Sequence, residues 1–172
     1  MMIKNLSPIR VISLLFVCLL LVNCSDDENG SNDPAEPIGS DPANPVEGDA
    51  ISLTLNNQGA SAYFVADQTG GDVTSLNENN SSWSLQVGQR YEITVVNSGA
   101  HPLMLRNAAD EVLLGMANGG SGSFENDGEV NFFSNQSDGS FYFTVTQDLA
   151  NELDDYACQV HTSSMQGSAT AN

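Results

Sequence analysis

Three soft donors sit close together near the end of the sequence, in "YACQVHTSSMQG": Cys158, His161 and Met165. A thiolate, an imidazole and a thioether at C-x2-H-x3-M spacing are metal-ligand types. The chain has two histidines, and the other one, His101, opens "HPLMLRN" after a Gly-containing bend. Two imidazoles, one thiolate and one weakly held thioether make up the set that suits a trigonal copper site with an axial cap. A cysteine ending one strand and a histidine in the next turn approach an ion from the same side. One short loop cannot close the triangle, so the remaining ligand must come from a separate strand. His101 is placed to supply it.

Each residue also has a plainer reading. Cys158 is unpaired once Cys18 and Cys24 are set aside, and a lone cysteine in an oxidising compartment is buried and inert, joined to another molecule, or held by a metal. His161 reads alone as an exposed loop imidazole, and Met165 as a gap-filler in the core. Met104 and Met116 read first as core, with the rim of a site as the second option. What sets the first three apart is that both histidines and the one unexplained cysteine fall into a single ligand pattern.

Such ligands need a rigid frame, and the sequence offers strands. Short β-rich runs occupy 51–56, 61–66, 82–87, 90–97, 102–107, 111–114, 130–134, 140–146, 155–158 and 167–171. Ile51, Leu53 and Leu55 alternate, as do Phe141, Phe143 and Val145, which is the period of a half-buried strand. Turn clusters "NNQG", "QTGGD", "NENNSS" and "NGGSGS" separate the runs. The pattern predicts a single all-β domain over 50–172, an antiparallel β-sandwich, with one helical turn at 147–155. Trp83, Phe132, Phe133, Phe141 and Phe143 are its expected core aromatics, and Tyr156 is expected to pack beneath the loop after Cys158.

"YACQVHTSSMQGSATA" resembles the C-terminal signature of the cupredoxins, the plastocyanin, pseudoazurin and amicyanin group. "YEITVVNSGAHPLML" is similar to the strand and bend that deliver their first histidine, and the likeness covers about 83–172. The resemblance also extends to secreted cupredoxin-like domains with a "GHP…CQxHxxM" pattern. It implies a Greek-key β-sandwich binding one copper ion that alternates between Cu(I) and Cu(II). His101, Cys158 and His161 would be equatorial ligands and Met165 the axial one, with Asn97, Ser98 and Gly99 as outer support near His101. Two features depart from the family: the His-to-Met spacer is three residues, and Val160 stands where many plastocyanins place a proline.

Residues 1–23 carry Lys4 and Arg10 before the apolar run "VISLLFVCLLLV", the pattern of an export signal too short to span a bilayer. "LVNC" resembles a lipoprotein cleavage motif, which makes Cys24 the lipid-modified residue. "SDDENGSND" resembles the acidic tag of surface-exposed Gram-negative lipoproteins. Residues 24–49, with Pro34, Pro37, Pro42 and Pro45 among polar residues, read as a disordered spacer. The implied location is the outer membrane, on its periplasmic face or on the cell surface, with membrane contact through the lipid alone.

Without the leader, Arg90 and Arg106 stand against 22 acids, so the net charge is 2 − 22 = −20. Nucleic acid is excluded as a partner, because phosphate contact needs clustered cations. A basic redox partner, a cytochrome or a copper enzyme, suits this charge.

"NGGSGS" lacks the lysine and helix of a phosphate loop, and "FENDGEV" lacks the ligand spacing of an EF-hand. No nucleophile–base pattern marks a hydrolase, and a filled ligand set leaves no open metal position for substrate, so no enzyme is expected. Three readings remain: an electron-transfer lipoprotein, a copper-sequestering or copper-delivering lipoprotein, and a surface binding module that keeps the fold without metal.

Overall fold

A computed structural model describes residues 50–117 and 122–172. The export signal, Cys24, the spacer to residue 49 and most of "NGGSGS" lie outside the described residues. Among those described, no helix is long and apolar enough to cross a membrane.

Ten strands and one short helix follow in order: β1 (Ile51–Asn57), β2 (Tyr63–Thr69), β3 (Trp83–Leu85), β4 (Arg90–Val95), β5 (Leu103–Arg106), β6 (Val112–Gly115), β7 (Phe133–Asn135), β8 (Ser140–Thr144), α1 (Gln147–Glu152), β9 (Asp155–Cys158) and β10 (Gln166–Ala171). They form two five-stranded sheets, ordered β2-β1-β4-β8-β7 and β3-β10-β9-β5-β6. The expected Greek-key β-sandwich is what the chain forms. All ten strand regions appear, with bounds trimmed, lengthened or shifted by one to three residues in all but β9.

One expectation needs correction. The sheets are mixed rather than antiparallel, because β1 runs parallel to β4 and β3 parallel to β10. A tight hairpin gives only antiparallel neighbours, whereas a long crossover allows parallel ones. Here β1 turns back into β2, the chain crosses to the second sheet at β3, and it returns as β4 on the free side of β1.

The core is the space between the sheets. One wall is built by the alternating residues of β1, β4 and β8: Leu53, Leu55, Tyr91, Ile93, Phe141 and Phe143. The other is built from Trp83, Leu103, Leu105, Tyr156 and Cys158, with Leu103 opposite Cys158 and Leu105 opposite Tyr156. Cys158 therefore shares the inward face of β9 with Tyr156. Trp83 stacks on Tyr156 at 4.0 Å between ring centroids, and the Tyr156 hydroxyl donates to the Ser81 carbonyl at 2.8 Å.

Phe133 corrects a second expectation. It is 50% exposed on the outer face of β7, beside Tyr142. Its neighbour Phe132 points the other way and meets Phe141 edge-on at 5.1 Å. Successive residues of an extended chain face opposite ways, so only one of the pair is directed inward.

Thr146 caps α1 by accepting from the Leu149 amide at 3.2 Å, and buried Leu149 pins the helix to the core. The helix stops at Leu153, short of the expected 155, because Asp155 already pairs with Arg106 in β9. It delivers the chain from one sheet to the other, directly into the strand that ends at Cys158.

Candidate metal centre

His101 arrives through a bend at Asn97. Asn97 adopts a left-handed conformation, φ 59°, a region asparagine tolerates better than most residues. Its carbonyl accepts from the amides of both Ala100 and His101 at 3.0 Å. Ser98 is buried, donates through Oγ to the Gln136 carbonyl at 2.7 Å, and accepts from the Gln136 side chain at 3.2 Å. The bend is thus fastened to the β7–β8 turn. Of the three expected supports, Asn97 and Ser98 hold the bend, while Gly99 faces open space.

The loop after β9 closes on itself. The Cys158 amide donates to the Met165 carbonyl at 2.8 Å, and the Met165 amide donates to the His161 carbonyl at 3.0 Å. The Gln159 amide donates to the Pro102 carbonyl at 2.9 Å, which ties the loop to the residue after His101. The Gln159 side chain accepts from the Ala117 amide at 2.7 Å. Ser164 reaches the turn between β1 and β2, donating through Oγ to the Ala60 carbonyl at 2.7 Å. Tyr156 sits on β9 directly opposite Gly167 of β10, the strand that follows this loop: a Cβ on Gly167 would come within 2.5 Å of its hydroxyl.

These ties bring three ligand atoms together. His101 Nδ1 and His161 Nδ1 are 3.2 Å apart, Cys158 Sγ is 3.6 Å from His161 Nδ1, and Sγ is 3.9 Å from His101 Nδ1. Metal–nitrogen bonds of about 2.0 Å and a metal–sulfur bond of about 2.3 Å, spread at 120°, give edges of roughly 3.5 Å and 3.8 Å. The observed triangle fits one small ion. Cys158 is fully buried, His101 nearly so, and His161 half-buried. Burial and then the nearby His161 lower the His101 pKa, favouring the neutral ring that ligates.

Met165 is fully buried and belongs to the same packed cluster as Cys158. Met104 and Met116 are buried as well. Soft thiolate with two imidazoles is a donor set for copper, so the cluster is suited to one copper ion.

Tyr63 is a contributor that sequence reasoning missed. It lies on β2, in the opposite sheet, and its hydroxyl donates to the His101 carbonyl at 2.6 Å. In the sequence it reads as one more aromatic in a strand, and no spacing links it to His101.

No protein-family model and no curated protein matches the chain. Among solved structures, the chain is similar to rusticyanin, described as a copper protein, at 16% identity and a TM-score of 0.39, over 73% of this chain and 79% of that one. It is also similar to reduced rusticyanin, at 14% identity and a TM-score of 0.40, over 73% of this chain and 81% of that one.

Proposed function

We propose that this cupredoxin-like sandwich is a single-copper electron carrier, with His101, Cys158 and His161 as equatorial ligands and Met165 as the weak axial one. The observation that carries this reading is the triangle of Nδ1, Nδ1 and Sγ atoms with edges of 3.2, 3.6 and 3.9 Å. Copper supplies the one-electron couple. The chain's part is to keep the three donors in place in both oxidation states, so that little rearrangement accompanies transfer. The bend at Asn97, the closed loop from Cys158 to Met165 and the Gln159–Pro102 bond do that.

Electrons pass most readily where the site comes nearest to solvent. His161 is the most exposed of the three ligands, and Val160 beside it is 63% exposed. A partner that covers Val160 meets the His161 ring edge. The acidic balance of the chain favours a basic partner, a cytochrome or a copper enzyme. Lipidation at Cys24 and the spacer to residue 49 would hold the domain at the outer membrane, on its periplasmic face or at the surface. That tethering raises the effective concentration of a membrane-associated partner.

The test is copper titration of the full chain, followed by optical and paramagnetic resonance spectra. One equivalent of Cu(II), an intense thiolate-to-copper band and its loss in Cys158→Ser support electron transfer. Colourless Cu(I) binding points instead to sequestration or delivery, and no uptake points to a metal-free binding module.

A further inference from the structure

Tyr63 belongs to neither ligand-bearing segment, yet it reaches both. Its ring is fully buried in the wall formed by the opposite sheet, and its hydroxyl donates to the His101 carbonyl at 2.6 Å. Burial is the main cause that pushes the phenol far above its ordinary range, with the nearby Cys158 and Tyr156 adding to it. The group therefore remains an O–H donor.

Asn80 anchors this tyrosine. The Tyr63 amide donates to Asn80 Oδ1 at 3.1 Å, and the Asn80 amide donates to the Tyr63 carbonyl at 2.7 Å. The Asn80 side chain then donates to the Ser164 carbonyl at 2.9 Å, inside the Cys158–Met165 loop. Asn80 has a positive φ of 52°, the conformation that lets it serve both neighbours. One prong of the clamp holds the backbone of His101, and the other holds the loop that carries Cys158, His161 and Met165.

We propose that Tyr63 is a positioning residue for the metal centre: anchored by Asn80, its hydroxyl fixes the His101 backbone and so holds the imidazole where the oxidised site needs it. The redox half of this rests on the proposed function; the positioning half does not. The single proton of the hydroxyl goes to the His101 carbonyl, so the bond acts on the backbone that carries the imidazole. Loosening that imidazole weakens the hold on Cu(II), the ion stricter in its geometry, more than on Cu(I).

Tyr63→Phe removes one oxygen and keeps the ring. In the copper-loaded full chain, we expect the ratio of Cu(II) to Cu(I) affinity to fall about tenfold, a rise of about 59 mV for a one-electron couple. In the metal-free chain, hydrogen exchange at the His101 amide rises about tenfold, while Ile93 and Leu105 in the sheets keep their protection. Tyr63→3-fluorotyrosine retains the hydroxyl and strengthens it as a donor, so its potential moves the opposite way. That variant also carries the test if Tyr63→Phe does not fold. An unchanged potential in the folded variants, or unchanged exchange at His101, overturns the proposal. A wild-type chain that takes up no copper removes the proposed function instead, and the exchange measurement then decides on Tyr63 alone.

Discussion

The imidazoles of His101 and His161 meet Nδ1 to Nδ1 at 3.2 Å, although 60 residues separate them in the chain. Their ring centroids are 5.0 Å apart and the planes are inclined by 42°, so this is an edge-to-edge approach of two nitrogens and not a stack. Two nitrogens that each carry a lone pair repel unless a proton or a cation lies between them. The pairing is imposed by the bend at Asn97 on one side and by the closed loop after Cys158 on the other. The ligands converge because the backbone is held.

Copper should therefore stabilise the fold, since the ion binds the folded triangle and not the open chain. At free copper of about 100 times Kd, mass action gives about 2.7 kcal/mol. For a domain of this size that raises Tm by roughly 10 °C. Scanning calorimetry of the full chain with and without copper measures it, and Cys158→Ser should abolish most of the rise.

Met165→Leu separates an axial ligand from a core residue. Exchanging Met for Leu in a packed site costs under about 1.5 kcal/mol, so the fold persists. Loss of the thioether removes a donor to Cu(II), and the potential should rise. Voltammetry that gives the wild-type potential for this variant would show that Met165 is packing alone.

Two glycines near the site should respond oppositely to alanine. At Gly167 the new Cβ would stand 2.5 Å from the Tyr156 hydroxyl and 2.8 Å from the Asn80 carbonyl. Overpacking of that kind costs about 1–3 kcal/mol. At Gly99 nothing lies within 4 Å of the added atom, and a change within about 0.5 kcal/mol follows. Denaturant titration of both variants checks the contrast.

Arg106 lies buried in the sheet that carries Cys158. Its guanidinium grips Asp155 through two bonds of 2.8 and 2.5 Å and donates to Gln166, the residue after Met165, at 2.9 Å. Hydrogen bonding to Asp155 is the main cause of its raised pKa. Asp110, 2.8 Å away, is 78% exposed. Asp155→Ala should destabilise by up to about 3–5 kcal/mol, less whatever solvent at the partly exposed carboxylate screens. Asp110→Ala should cost about 1 kcal/mol or less.

The strands were legible because the core reads every second residue, and Ile51–Leu53–Leu55 or Phe141–Phe143–Val145 cannot satisfy a helix. The ligand cluster was legible because rare residue types, both histidines and an unpaired cysteine, mark it. Parallel pairing of β1 with β4 was not, since local pattern says nothing about which strand a crossover brings alongside. Phe132 and Phe133 carry the same side chain, and only strand phase tells which one turns inward. Tyr63 and Asn80 escaped for a similar reason. Their importance lies in partners 38 and 84 residues away, and hydrogen bonds of that span leave no periodic trace.

The most direct test is crystallography of the copper-loaded full chain with anomalous scattering at the copper edge. A single peak inside the triangle of His101 Nδ1, Cys158 Sγ and His161 Nδ1, about 2 Å from each nitrogen, is the result predicted. A copper peak bound elsewhere, or a protein that stays metal-free with these three atoms in place, would contradict the assignment.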